Sequence, residues 1–70
     1  MKLDVLEFIT YCISKLGQFL NLPQKDVYIK LKDSGIIDEY LIPGYDVLHT
    51  YGSRYLMNDI TDLMKEKGVL

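Results

Sequence analysis

A regular apolar repeat over residues 3–20 is the strongest periodic feature of this chain and predicts a helix. Apolar residues recur there at spacings of three and four, which places them on one side of an α-helix. One stripe consists of Leu6, Ile9, Ile13, Leu16 and Leu20, and the stripe beside it consists of Val5, Phe8, Cys12 and Phe19. Two adjoining stripes form a wide apolar face, so this helix is predicted to be central and to pack against more than one neighbour.

Proline and glycine delimit the segment that follows. Pro23 suits the first turn of a helix, and Gly35 suits the left-handed position just past a helix end. A second helix is therefore predicted at 23–34. Its apolar face is predicted to consist of Val27, Tyr28 and Leu31.

Residues 36–43 are compatible with two structures. A tight hairpin around Asp38 and Glu39 would suit the β-branched flanks of this segment. One or two helical turns are preferred, because a lone two-stranded hairpin is marginal without a sheet to join. The helical turns would direct inward Ile37, Tyr40 and Leu41.

Two more helices are predicted in the last third of the chain. A short one covers residues 45–51, where Gly52 ends it. The last helix runs from Ser53, acting as its N-cap, to about Lys67, and the alternative starts it at Asn58. The side chains predicted to point inward from this helix are Leu56, Ile60, Leu63 and Met64.

Length and composition complete the fold prediction. Seventy residues allow one domain over 1–70, predicted as an all-α, compact single-domain bundle of about four helices with an irregular turn at 36–44. A chain this short buries only roughly 60% of the surface that its unfolded form exposes. Because 49% of its residues are hydrophobic, self-association or a protein partner is expected to supply further burial.

Cysteine usage and charge bear on compartment and partners. Cys12 is the single cysteine, which fits a reducing compartment. Asp4 and Glu7 interrupt the only early apolar stretch, so no secretory signal is predicted. No run approaches the ~20 apolar residues of a membrane span. A cytoplasmic protein without membrane contact is therefore expected. The net charge of -2 argues against a broad phosphate-binding surface, so nucleic acid is not an expected partner.

The histidine at position 49 is the first candidate for chemistry. Asp46 lies three residues earlier on the same helical face and could orient the imidazole for acid–base work. The favoured interpretation is structural, with Asp46 opening the short helix and His49 satisfied by a hydrogen bond, because one such pair is a weak signal. Whether His49 is buried stays open. No catalytic residue, cofactor or metal site is predicted, since one His and one Cys cannot supply a structural zinc site.

Tyrosines point instead to a contact surface. Within sixteen residues the chain places Tyr40, Tyr45, Tyr51 and Tyr55. Aromatic side chains with a polar tip are enriched at contact surfaces, although they also fill the wet edges of small cores, and the two interpretations remain open. The residues predicted to bind a partner are Tyr45, Asp46, His49, Tyr51 and Tyr55.

A helix-turn-helix at 23–42 is the alternative that involves DNA. Its recognition helix would carry Asp38 and Glu39 and no Arg or Lys, and carboxylates repel phosphates. This alternative predicts a basic face that would consist of Lys25, Lys30 and Lys32.

The run Tyr45-Asp46-Val47-Leu48-His49-Thr50, with Tyr55-Leu56 and Asp59-Ile60 behind it, resembles the core motif of a small bacterial domain family of unknown function. The helices add generic matches at Tyr11-Cys12-Ile13, Val27-Tyr28, Leu31 and Gly35 through Asp38, so the resemblance covers nearly the whole chain. Pro23 departs from the Ser-type cap usual in that family, which shifts the expected helix start by a residue.

The resemblance implies a companion protein rather than an enzyme. Members look like partners that are often encoded beside an ADP-ribosyltransferase-like protein, an arrangement similar to an antitoxin and its toxin. No catalytic residue follows from the resemblance, and the Tyr45–Tyr55 region is where it implies partner contact. The leading prediction is a non-enzymatic protein-interaction module, and the runner-up is a helix-turn-helix-type DNA-binding regulator.

Overall fold

The computed structural model describes residues 2–70, which contain helices and turns and no strand. The elements in chain order are α1 (Leu3–Leu20), α2 (Gln24–Asp33), a π-helix (Ile37–Leu41), α3 (Tyr45–Leu48) and α4 (Ser53–Glu66). Their Cα radius of gyration is 10.9 Å, close to the ~11 Å typical of a globule of this length. The predicted compact all-α fold is confirmed.

The helix α1 contacts both α2 and α4, as the width of its apolar face predicted. Its buried side chains come from both predicted stripes and include Phe8, Ile9, Cys12 and Leu16. The inward placement of Leu6 and Phe19 was wrong, because 50% and 47% of these side chains are exposed. Leu6 lies about 120° around the helix from Cys12, and Phe19 borders a cleft that opens where α4 begins.

The turn between α1 and α2 is shaped by Asn21 and Pro23. Asn21 adopts the left-handed conformation with φ 56°, and Pro23 is extended with ψ 144°. Because an extended residue is not helical, α2 begins at Gln24, one residue later than predicted. Val27 and Leu31 face the core, but 47% of Tyr28 is exposed, so its predicted inward placement was wrong.

The segment after α2 is helical, which confirms the preferred prediction and excludes the hairpin. Gly35 has φ 83°, the left-handed conformation predicted for it past the helix end. The backbone N–H of Ile42 then donates to the carbonyl of Ile37 over 3.0 Å, a bond that spans five residues and defines a π-helical turn. As predicted, Ile37 and Leu41 are buried, whereas Tyr40 is half-buried.

The helix α3 is one turn long and ends at Leu48, earlier than the predicted 45–51. The Thr50 hydroxyl donates to the Val47 carbonyl over 2.6 Å, and such a bond competes with continuation of a helix. Val47 is exposed, and Leu48 is the buried member of this turn.

The helix α4 starts at Ser53, so the alternative start at Asn58 was wrong. The assignment of Ser53 as the N-cap was also wrong, because Gly52 has the extended cap conformation and no side chain caps the helix. Helix α4 ends at Glu66. Its predicted inward residues are buried or partly buried, and they are joined in the core by Met57.

Candidate functional site

Four of the five predicted partner-binding residues form two aromatic groups. The rings of Tyr45 and His49 stack at 4.4 Å between centroids, with 13° between their planes. The rings of Tyr51 and Tyr55 meet edge to face at 4.8 Å and 72°. The fifth residue, Asp46, is exposed and lies next to the first group.

The Tyr45–His49 stack is held against α1 from below. Phe8 meets the Tyr45 ring edge to face at 5.4 Å between centroids. Nδ1 of His49 lies 2.7 Å from the carbonyl oxygen of Tyr45, and since a carbonyl only accepts, Nδ1 carries the hydrogen. His49 itself is exposed, which answers the question that the sequence left open.

Asp46 and His49 take different directions from α3. The hydrogen bond of His49 goes to its own helix backbone. Asp46 borders a depression of about 290 Å³ that it shares with Lys2, Asp4 and Tyr45 at the start of α1. Acid–base work by the pair would need the carboxylate against the imidazole, and the bond that orients this ring comes from a carbonyl instead.

The Tyr51–Tyr55 pair is the more exposed group, with 36% of Tyr51 and 62% of Tyr55 open to solvent. Below it the Tyr40 hydroxyl donates a hydrogen bond to the Asp59 carboxylate. This bond joins the π-helix to α4, and Asp59 follows Tyr55 by one helical turn. The Tyr51–Tyr55 pair therefore lies above a contact that fixes the π-helix to α4.

Partial burial and the Asp59 carboxylate together raise the pKa of Tyr40 well above its ordinary value. Both effects disfavour the tyrosinate, since burial penalises charge and the carboxylate repels a second negative group. Sequence reasoning missed the Tyr40–Asp59 pair. The two residues are nineteen positions apart, and no local pattern connects them.

The lysines of the DNA-binding alternative do not form a free basic face. Nζ of Lys32 lies 3.0 Å from a carboxylate oxygen of Asp38, at the end of α2. This pair neutralises one of the three lysines and places a carboxylate on the same surface. No observation in the fold favours DNA contact through this segment.

Among residues 2–70, no three His, Cys, Asp or Glu side chains are grouped so that they could hold a metal ion. The helices in this range are too short or too polar to cross a membrane. Cys12 is fully buried, and desolvation raises the pKa of its thiol to about 12, so the thiol is protonated at neutral pH.

Comparison with known proteins gives one match. Neither the curated proteins nor the solved structures contain a match to the chain. A family model described as "Protein of unknown function (DUF3791)" matches residues 7–67, which is most of the chain and includes α2, α3, α4 and both aromatic groups. The chain therefore belongs to the DUF3791 family of proteins of unknown function.

Proposed function

We propose that this chain is a non-enzymatic protein-interaction module whose contact surface is centred on the Tyr51–Tyr55 pair. The observation that carries the proposal is the exposure of two aromatic rings, packed edge to face on one end of α4. Tyrosine is among the side chains that dominate binding energy at protein interfaces. The half-buried Tyr45, with the exposed His49 stacked on it, and the exposed Asp46 form the outer part of the proposed surface.

The support beneath the pair strengthens the case for binding. Association must offset the entropy lost when side chains are ordered, about 0.5–1.5 kcal/mol for each flexible one. Tyr51 and Tyr55 restrain each other, and the Tyr40–Asp59 bond fixes the π-helix against α4 below them. A surface whose side chains are ordered before contact loses less conformational entropy on binding.

The family resemblance of the Tyr45–Thr50 motif suggests the partner. We propose an ADP-ribosyltransferase-like protein encoded beside this chain, in an antitoxin-like relationship. The mechanism would be occlusion, in which a preformed aromatic surface covers the partner and no bond is made or broken. Binding without chemistry accords with the structural roles of His49 and Cys12 described above.

Co-expression with the neighbouring ADP-ribosyltransferase-like protein and pull-down from a tag on this chain tests the proposal. The wild-type chain is expected to retain the partner, and the double variant Tyr51→Ala/Tyr55→Ala is expected to lose it. Tyr28→Ala is the matched control, because it removes an exposed tyrosine from α2. Circular dichroism of each variant establishes that the helices persist.

Two outcomes would contradict the proposal. One is the absence of a complex between the wild-type chain and the partner at micromolar concentration. The other is a complex that survives loss of Tyr51 and Tyr55 in a folded variant, which would remove the contact role of the pair.

A further inference from the structure

A cleft of about 520 Å³ opens between the C-terminal end of α1 and the first turns of α4. We call it the α1–α4 cleft. It is lined by Lys15, Gln18, Phe19, Ser53, Arg54 and Met57. None of these residues belongs to the two aromatic groups, and the volume is within the range of about 300–1,000 Å³ common for binding sites.

The α1–α4 cleft is cationic although the chain as a whole is acidic. The net charge is -2, yet the lining holds Lys15 and Arg54 and no carboxylate. Within residues 2–70 neither of these cations forms an ion pair. Nζ of Lys15 stands 5.9 Å from the centre of the Tyr11 ring, a contact that uses none of its hydrogen-bond donors. A cleft lined by one sign of charge concentrates its field on a ligand of the other sign.

The same cleft has an apolar side. Met57 is buried and forms part of its floor, while Phe19 keeps nearly half of its surface in water. Covering an exposed aromatic ring is favourable in proportion to the area removed from water. A ligand that matches the cleft therefore combines negative charge with an apolar group.

We propose that the α1–α4 cleft binds an acidic segment of a protein partner. A carboxylate of that segment pairs with Arg54 and Lys15, and an adjacent apolar side chain covers Phe19. The guanidinium of arginine matches a carboxylate with two parallel hydrogen bonds. The inference rests on the proposed function in that the ligand is a protein, but it uses a different surface of the molecule.

A capped peptide of alternating aspartate and phenylalanine is the probe, titrated into the isotope-labelled full chain and followed by amide NMR shifts. Saturable shifts are expected at Gln18, Ser53 and Arg54. Arg54→Glu is expected to weaken binding about tenfold or more. This variant should stay folded, because a carboxylate is favoured in the first turn of a helix. Lys25→Glu makes the same charge change at an exposed site outside the cleft, and it should keep the affinity.

Several outcomes would overturn the inference. If Lys25→Glu weakened peptide binding as much as Arg54→Glu, the effect would be one of net charge. Equal affinity for a peptide with lysine in place of aspartate would show that no ion pair contributes to binding. Inorganic phosphate that binds as tightly as the peptide would indicate a small-anion site instead. If the double tyrosine variant loses the protein partner while Arg54→Glu retains it, the cleft inference fails and the proposed function stands.

Discussion

Among single residues, the half-buried Tyr40 connects two elements that are distant in the chain. Its hydroxyl donates to the Asp59 carboxylate and so ties the π-helix to α4 across nineteen positions of the chain. A hydrogen bond to a charged group contributes about 1.5–3 kcal/mol, and loss of the donor leaves the acceptor without its partner. The exposed Tyr51–Tyr55 pair lies above this half-buried contact.

Tyr40→Phe is expected to lower the free energy of unfolding at neutral pH by about 1–3 kcal/mol. The pKa of Tyr40 is raised in the folded protein, so the unfolded chain releases this proton first as the pH increases. Stability of the wild type should therefore fall above pH ~10, the ordinary pKa of tyrosine. That part of the fall should be missing in Tyr40→Phe. Urea unfolding at neutral and alkaline pH, followed by circular dichroism, measures both effects.

The control for this prediction is Tyr11→Phe. Tyr11 is exposed on α1, so the loss of its hydroxyl should leave the neutral stability close to that of the wild type, and the alkaline decline that Tyr40 causes should persist. A Tyr40→Phe protein with the same alkaline decline as the wild type would contradict the assigned role of the Tyr40–Asp59 bond.

Among the elements, α3 is positioned by a close approach at Gly44. A Cβ atom at Gly44 would lie 2.7 Å from the carbonyl oxygen of Tyr40 and 2.9 Å from Cδ1 of Leu48. The first neighbour is backbone and cannot move aside cheaply. Glycine is thus required here by space rather than by its φ angle, which is -90°.

Gly44→Ala is expected to destabilise the fold by about 1–3 kcal/mol, the usual cost of forcing extra atoms into a packed site. Gly52→Ser is the control. A Cβ at Gly52 meets nothing within 4 Å, and serine is preferred at the N-cap that Gly52 occupies, so this variant should be as stable as the wild type or slightly more stable. Thermal unfolding of both proteins checks the pair. Equal stability of Gly44→Ala and the wild type would show that α3 can shift.

The sequence predicts the elements because helix periodicity and helix breakers are local signals. Neighbours a few positions away are enough to predict Val27 and Leu31 in the core and Gly35 in a left-handed turn. Whether Leu6 and Phe19 are covered depends on where α2 and α4 start and stop. The periodicity of α1 does not contain that information. A π-helical turn differs from an α-helical one by a single hydrogen-bond partner, so tertiary packing decides between them.

The candidate site was predictable only in part for the same reason. The sequence located the tyrosines, and their chain positions predicted the Tyr45–Tyr55 region. It did not predict that Tyr45 would stack on His49 while Tyr51 pairs with Tyr55. That division follows from the end of α3 at Leu48, which separates the two pairs, and the Tyr40–Asp59 bond below the second pair is a tertiary feature.

For the whole molecule, one hydrophobic core surrounds α1. The buried apolar residues of all five elements form a single cluster, and Cys12 is fully buried within it. A core shared in this way favours cooperative unfolding. The thiol of Cys12 then becomes reactive only when the core opens, because its pKa of about 12 also keeps it protonated.

Labelling of Cys12 by a thiol reagent is therefore expected to report global unfolding. In the native protein the rate should be lower than in urea by the factor that corresponds to the free energy of unfolding, when opening and closing are fast. Gly44→Ala should accelerate labelling by the factor expected from its loss of stability. The labelling rate of each protein in urea is the reference. Rapid labelling of a stable native protein would show that a local opening reaches Cys12.

The π-helix at Ile37–Leu41 has a consequence for how chain length can vary in this family. A π-helical turn uses one residue more than an α-helical turn to cover a similar path, and its exposed members are Asp38 and Glu39. Removal of one of these would let the segment close as an ordinary α-turn, with its ends still in place. Relatives that are one residue shorter should carry the gap between Gly35 and Pro43, and gaps that cluster inside α1 or α4 would contradict this.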